Sequence, residues 1–168
     1  MAIHQIHTSM RGRQFGMDEN NGLLIADSKV IATATVTTAQ VLALNATAIE
    51  VVPAPGAGLA LVPTLVVIYK AAGTAYAGVA TGEDLVLKYT DASGAQCSSA
   101  IETTGFLDQT TAETRYAGMP GAITTTAASV EPVANAAVMI HLLSGEITTG
   151  DSDLIIRTYC EVIQTVLS

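Results

Sequence analysis

Three histidines, two cysteines and one short acidic run are the groups in this sequence best suited to chemistry. His4 and His7 have the H-x-x-H spacing that can turn two imidazoles toward one metal ion. No third ligand lies nearby, so they read as exposed histidines of a tail. His141, between Ile140 and Leu142, could act as a general base only with an orienting partner and a nucleophile in reach. No serine sits in a G-x-S-x-G elbow. His141 therefore reads as a satisfied surface or interface histidine, on the strand face opposite Val138 and Ile140. Cys97 and Cys160 each fall on the apolar side of a predicted strand, where cysteine behaves as a small hydrophobe. A reactive thiol needs positive neighbours, and residues 30–168 hold only four bases. Both thiols are expected to be reduced and packed.

Two glycine-containing stretches have simpler readings than the motifs they imitate. Gly56-Ala57-Gly58 begins like a dinucleotide loop, but a third glycine is missing and a strand follows where a helix is required. A turn is expected. Gly150-Asp151-Ser152-Asp153 brings two carboxylates together as calcium loops do, yet no glutamate closes the loop. A solvated hairpin tip is expected instead. Asn45-Ala46-Thr47 fits the glycosylation pattern, which matters only in secreted eukaryotic proteins. These residues predict no catalytic site, no metal site and no cofactor.

The segment most suited to recognition is Ser9-Met10-Arg11-Gly12-Arg13-Gln14-Phe15-Gly16-Met17-Asp18. Two glycines and two arginines around one aromatic cannot hold an isolated helix. Lying extended on a partner, the stretch Arg11, Gly12, Arg13, Phe15 and Gly16 could bind it, with Arg11 and Arg13 pairing carboxylates and Phe15 filling a pocket. Residues 1–17 contain both arginines and no acid, whereas residues 30–168 contain 4 bases against 12 acids. The chain thus divides into an arm, residues 1–28, and one domain, residues 29–168. Asn20-Asn21-Gly22 is a turn signal inside the arm.

Composition limits what the domain can be. Of 168 residues, 49% are hydrophobic and only 13% charged, with a net charge of −8. That apolar content excludes intrinsic disorder, and net acidity argues against a nucleic-acid partner. The uncharged runs 30–49 and 51–69 are broken by threonines, prolines and glycines, so neither is a spanning helix. No apolar signal core follows Arg11 and Arg13. The sequence reads as soluble and unsecreted, with no membrane partner.

The positioning elements are strands. Val30, Ala32, Ala34 and Val36 alternate with Thr33, Thr35 and Thr37, the period of a half-buried strand. Residues 38–44 could make one or two helical turns capped by Thr38. Short strands are predicted over 47–52, 84–90, 95–101, 135–143 and 152–166. A short helix is possible between Thr103 and Tyr116, with Thr110 and Glu113 spaced as a capping box. The stretch 145–152 reads as a hairpin loop. Leu59–Lys70 is apolar on both faces: Leu59, Leu61, Leu65, Val67 and Tyr69 on one, Ala60, Val62, Val66 and Ile68 on the other. We assign the second face, at Val62, Val66 and Ile68, to a subunit interface. Strands of this length and spacing predict an all-β antiparallel sandwich or jelly roll.

Three stretches together resemble the small head decoration (cement) proteins of tailed bacteriophages. They are Arg11–Asp18, the Thr/Ala-rich first strand leading to Val41-Leu42-Ala43-Leu44, and Ile49-Glu50-Val51-Val52-Pro53-Ala54-Pro55-Gly56-Ala57-Gly58 before an apolar strand. The likeness continues through Tyr76-Ala77-Gly78, 85–89 and 154–162. It implies a trimeric β body on the outer capsid surface, assembled in the bacterial host cytoplasm, with the arm stapling neighbouring major capsid proteins. It implies a structural role without catalysis. A phage fibre or tail receptor-binding head domain is the alternative; surface tyrosines around a groove would favour it. A cupin-like enzyme would need several strand histidines, and only His141 qualifies.

Overall fold

Threonine and small apolar residues alternate at the start of the domain because one side faces water and the other a core. The computed structural model describes residues 15–18, 22–25, 28–79, 82–118 and 131–165. Strand β3 (Ser28–Val36) turns half-buried Val30, Ala32 and Ala34 and fully buried Val36 inward, and leaves Thr33 and Thr35 exposed. It pairs antiparallel with β9 (Leu154–Gln164), from Ser28 opposite Val162 to Val36 opposite Leu154. In β9, Leu154, Ile156, Thr158, Cys160 and Val162 point inward, while Ile155, Arg157, Glu161 and Ile163 are exposed. Both strands follow the expected period.

The architecture is an antiparallel β-sandwich. A four-stranded sheet has the order β3-β9-β5-β7, with β5 at Leu59–Lys70 and β7 at Glu113–Gly118. A three-stranded sheet has the order β4-β8-β6, with β4 at Ile49–Val52, β8 at Val138–Leu142 and β6 at Leu85–Tyr89. One apolar cluster joins them, including Val52, Leu87 and Ile140 from the smaller sheet and Leu61, Ile68 and Ile156 from the larger. Tyr89 reaches across this core and donates from its hydroxyl to the Leu61 carbonyl at 2.7 Å. Within the expected arm, β1 (Phe15–Asp18) and β2 (Gly22–Ile25) form a two-stranded antiparallel hairpin. The turn signal at 20–22 lets the flanking stretches satisfy each other's backbone groups, so this part is paired rather than singly extended.

Four expectations are corrected. First, β5 does not alternate cleanly. Its register against β9 shifts between Pro63 and Leu65, a bulge where proline offers no N–H to the ladder. Leu61 and Pro63 point inward before it, and Val66, Ile68 and Lys70 after it. Val66 and Ile68 are 1% and 0% exposed, so they are core residues and cannot meet another subunit. Val62 is half-buried, and the outward set continues with Leu65, Val67 and Tyr69.

Second, residues 103–116 form no helix. The Thr103 carbonyl accepts from Phe106 and Leu107 N–H groups in a tight turn that buries both side chains. The chain then supplies β7 to the β5 edge, with Glu113 opposite Lys70 and Gly118 opposite Leu65. Third, 145–152 is not a hairpin loop, because β8 and β9 belong to different sheets. Fourth, 95–101 makes only isolated bridges, Gln96 with Lys88 and Ile101 with Leu85. Between them the Ser98 hydroxyl takes the Leu87 N–H at 2.8 Å, so a side chain replaces the strand's backbone partner.

Candidate functional site

The groups singled out for chemistry take structural roles where the structure describes them. Cys97 and Cys160 are free and buried. Burial pushes both thiols up to about 12, which keeps them protonated and unreactive near neutrality. Gly56 and Gly58 have φ of +109° and +74°, the turn conformation expected of them, and the Gly56 N–H is held by Asn135 Oδ1 at 3.0 Å. His4, His7, Arg11, Gly12 and Arg13 lie outside the described residues. Phe15 and Gly16 are in β1, opposite Ile25 and Leu24.

The acidic run is a clasp between loops. Asp151 Oδ1 accepts the Thr74 N–H at 2.5 Å, and its Oδ2 accepts the Thr74 hydroxyl at 2.7 Å. These bonds hold its carboxyl below the usual range. Asp153 Oδ1 accepts the Thr38 N–H at 2.7 Å, at the start of helix α1 (Thr38–Leu42). The N-cap is Thr37, one residue before the expected Thr38, in a capping box with Gln40. Tyr76 donates from its hydroxyl to the Ser152 carbonyl. The carboxylates of 151 and 153 are thus occupied by backbone and hydroxyl donors. Among the described residues, no group of three or more His, Cys, Asp or Glu could hold a metal ion, and no helix is long and apolar enough to cross a membrane.

Lys70 is fully buried, an arrangement that β5's sequence does not announce. Its ammonium donates to the Ala71 carbonyl at 3.1 Å and the Thr111 carbonyl at 3.2 Å, tying the end of β5 to the chain entering β7. Arg115 likewise closes a loop, donating to the Gly105 carbonyl at 2.5 Å while its guanidinium lies 5.8 Å from the Phe106 ring centre.

His141 departs from its expected surface role. It is 7% exposed, and neither ring nitrogen has a hydrogen-bond partner. The segment after α1 approaches β8 here, where the Leu142 N–H donates to the Leu44 carbonyl. Burial first, and the Lys88 ammonium second, push the imidazole pKa down. The unfolded chain therefore binds a proton near pH 6.5 that the folded chain refuses. Stability is full above that pH and falls as pH drops through it. Urea midpoints should fall between pH 7.5 and about pH 5.5, above the carboxylate range. His141→Gln should flatten that slope; equal slopes would contradict the assignment.

The described surface with most binding character is the outer face of the four-stranded sheet. Ile31, Tyr69, Tyr116, Ile155 and Ile163 are exposed there, at 61%, 41%, 77%, 44% and 39%. Leu65, Val67 and Tyr159 lie half-buried between them. The rungs read Thr35-Ile155-Tyr69, Thr33-Arg157-Val67 and Ile31-Tyr159-Leu65 across β3, β9 and β5. Beside the β5 bulge, Lys29, Ile31, Thr64, Tyr159 and Glu161 border a groove of about 320 Å³. The period of β9 places Ile155 and Tyr159 on this face with Arg157, Glu161 and Ile163, while Tyr116 joins it only through the pairing of β7 beside Val67.

Comparison with family models, curated proteins and solved structures finds no match to this chain. The surface therefore has to be read from its own chemistry. Large apolar groups with scattered charge bind by area and shape, and a contiguous apolar patch on a folded domain marks an interaction site.

Proposed function

We propose that this chain is a structural virion protein that binds the outer surface of a phage capsid as a decoration protein. The reading begins from the resemblance at Arg11–Asp18 and 49–58. The observation that carries it further is the exposed apolar face of the larger sheet, a surface built for protein contact. In this reading the protein is not an enzyme, and its clasped loops serve rigidity. The arm, through Arg11, Gly12, Arg13, Phe15 and Gly16, contacts major capsid protein or a neighbouring subunit. The trimer implied by the resemblance belongs to the same proposal.

The test uses capsids stripped of accessory proteins. Full-length protein should co-sediment with them, and a variant lacking residues 1–27, which leaves β3 whole, should bind far less. Failure of the full-length protein to bind overturns the decoration reading. Equal binding of both proteins overturns only the arm's role. The receptor-binding alternative is favoured by one observation: Tyr69, Tyr116 and Tyr159 share a face with the groove at Thr64. Binding to host cells or glycans, with none to capsids, would select it.

A further inference from the structure

The exposed side of β9 reads Ile155, Arg157, Tyr159, Glu161, Ile163. The order is symmetric about Tyr159 in shape and antisymmetric in charge. Isoleucines stand four residues to either side, and a cation and an anion stand two residues to either side. From this order we infer that the outer face of the four-stranded sheet binds the same face of a second copy about a two-fold axis through the Tyr159 rung.

A two-fold axis lying in the interface, perpendicular to the strands, reverses β9 and lays it over itself. Tyr159 then meets Tyr159 of the second copy. Arg157 meets its Glu161, a contact that occurs twice, and Ile155 and Ile163 stand at the two ends of the overlaid strand. The neighbouring strand agrees with this arrangement. Val67 is on the Arg157 rung and Val62 on the Glu161 rung, so apolar groups oppose there too. On β3, Lys29 shares the Glu161 rung and Thr33 the Arg157 rung, so Lys29 faces a threonine and no like charge.

Three quantities support the arrangement. Within one chain, Arg157 and Glu161 are about 13 Å apart along the strand, beyond ion-pair reach. Among the described residues neither has an ion-pair partner. Packed sheets cross at about 30°, which displaces rungs two residues from the axis sideways by only about 3 Å, well within the span of these side chains. The three strands that overlay themselves, β3, β9 and β5, cover roughly 900 Å² over nine residues counting both copies, the size of a weak, transient contact. The inference rests on β9's side-chain order and competes with the capsid for this face: where a second copy covers it, capsid contact is left to the arm.

Light scattering on the full chain, from about 1 to about 100 µM, measures the assembly. Two copies are expected, or six if a trimer also forms. One copy throughout, or three copies alone, overturns the two-fold contact. Two copies would uphold it while removing the trimer. Arg157→Glu and Glu161→Arg should each weaken association about tenfold or more by opposing like charges, and the double exchange should restore it. Single exchanges without effect, or a folded double exchange without rescue, overturn the pairing. As a second readout, Tyr159→Cys should give a covalent dimer with a bis-maleimide linker of about 8–10 Å, which matches the roughly 10 Å between facing sheets that a direct disulfide cannot bridge. If it stays monomeric on a denaturing gel while matching the wild-type thermal melt, the axis is misplaced.

Discussion

Ile68→Asp is expected to abolish the cooperative unfolding transition, whereas Tyr69→Asp, one residue along the same strand, should leave it in place. Ile68 is fully buried and sits opposite Ile156 on β9 and Arg115 on β7. A carboxylate there would lose its hydration, and with the Arg115 guanidinium already turned to the Gly105 carbonyl it would be a poorly paired buried charge that costs several kcal/mol or stays protonated. Losing the isoleucine's own packing adds about 2–5 kcal/mol. Together these approach the roughly 5–15 kcal/mol that holds a domain folded. Tyr69 is 41% exposed on the outer face, and surface changes usually cost under about 0.5 kcal/mol. Circular dichroism melts of both variants provide the check. If both fold alike, the assignment of faces after the bulge is wrong.

That contrast also shows why some of the fold could be read from sequence and some could not. Strands β3 and β9 each keep a strict period of two beside an uninterrupted partner, so their inward and outward residues were legible. β5 has the same apolar richness on both faces. Only the shift at Pro63 decides that Val66 and Ile68 face inward and Leu65 and Val67 outward. A local pattern does not carry that information, because the bulge is defined against a strand about 100 residues away. The 103–118 region failed for a related reason. Thr110 and Glu113 have helix-start spacing, but the unpaired edge of β5 takes residues 113–118 as a strand. His141 was misplaced because its cover comes from the segment after α1, which no periodicity in β8 reports. The acidic run illustrates the same limit: the donors that occupy Asp151 and Asp153 come from Thr74 and Thr38, 77 and 115 residues away. On the candidate surface, the charged positions of β9 were visible, while their apolar neighbours gained meaning only when β3 and β5 were laid beside them.

Gly150→Ala should destabilise the protein by about 3 kcal/mol, a large effect for one methyl group. Two independent causes act at this position. Gly150 has φ of +131°, a backbone conformation that residues with a Cβ rarely adopt. Its missing Cβ is also the space occupied by Tyr76, whose ring carbons lie within 2.1–2.5 Å of where that atom would sit. Tyr76 cannot easily move away. It is 2% exposed, its backbone N–H donates to the Leu107 carbonyl at 2.9 Å, and its hydroxyl is held by Ser152. Relief must therefore come from the 150–153 backbone, which would pull Asp151 from Thr74 and Asp153 from the first N–H of α1. The expected result is a urea midpoint lowered in proportion, with an unchanged slope if the fold survives. Tyr76→Ala/Gly150→Ala separates the two causes. Removing the ring should abolish the additional steric penalty of Gly150→Ala and leave the backbone part, so the alanine should cost less in that background than in the wild type. Equal costs in both backgrounds would mean that the ring is not what excludes a side chain, and that backbone conformation alone sets the requirement for glycine.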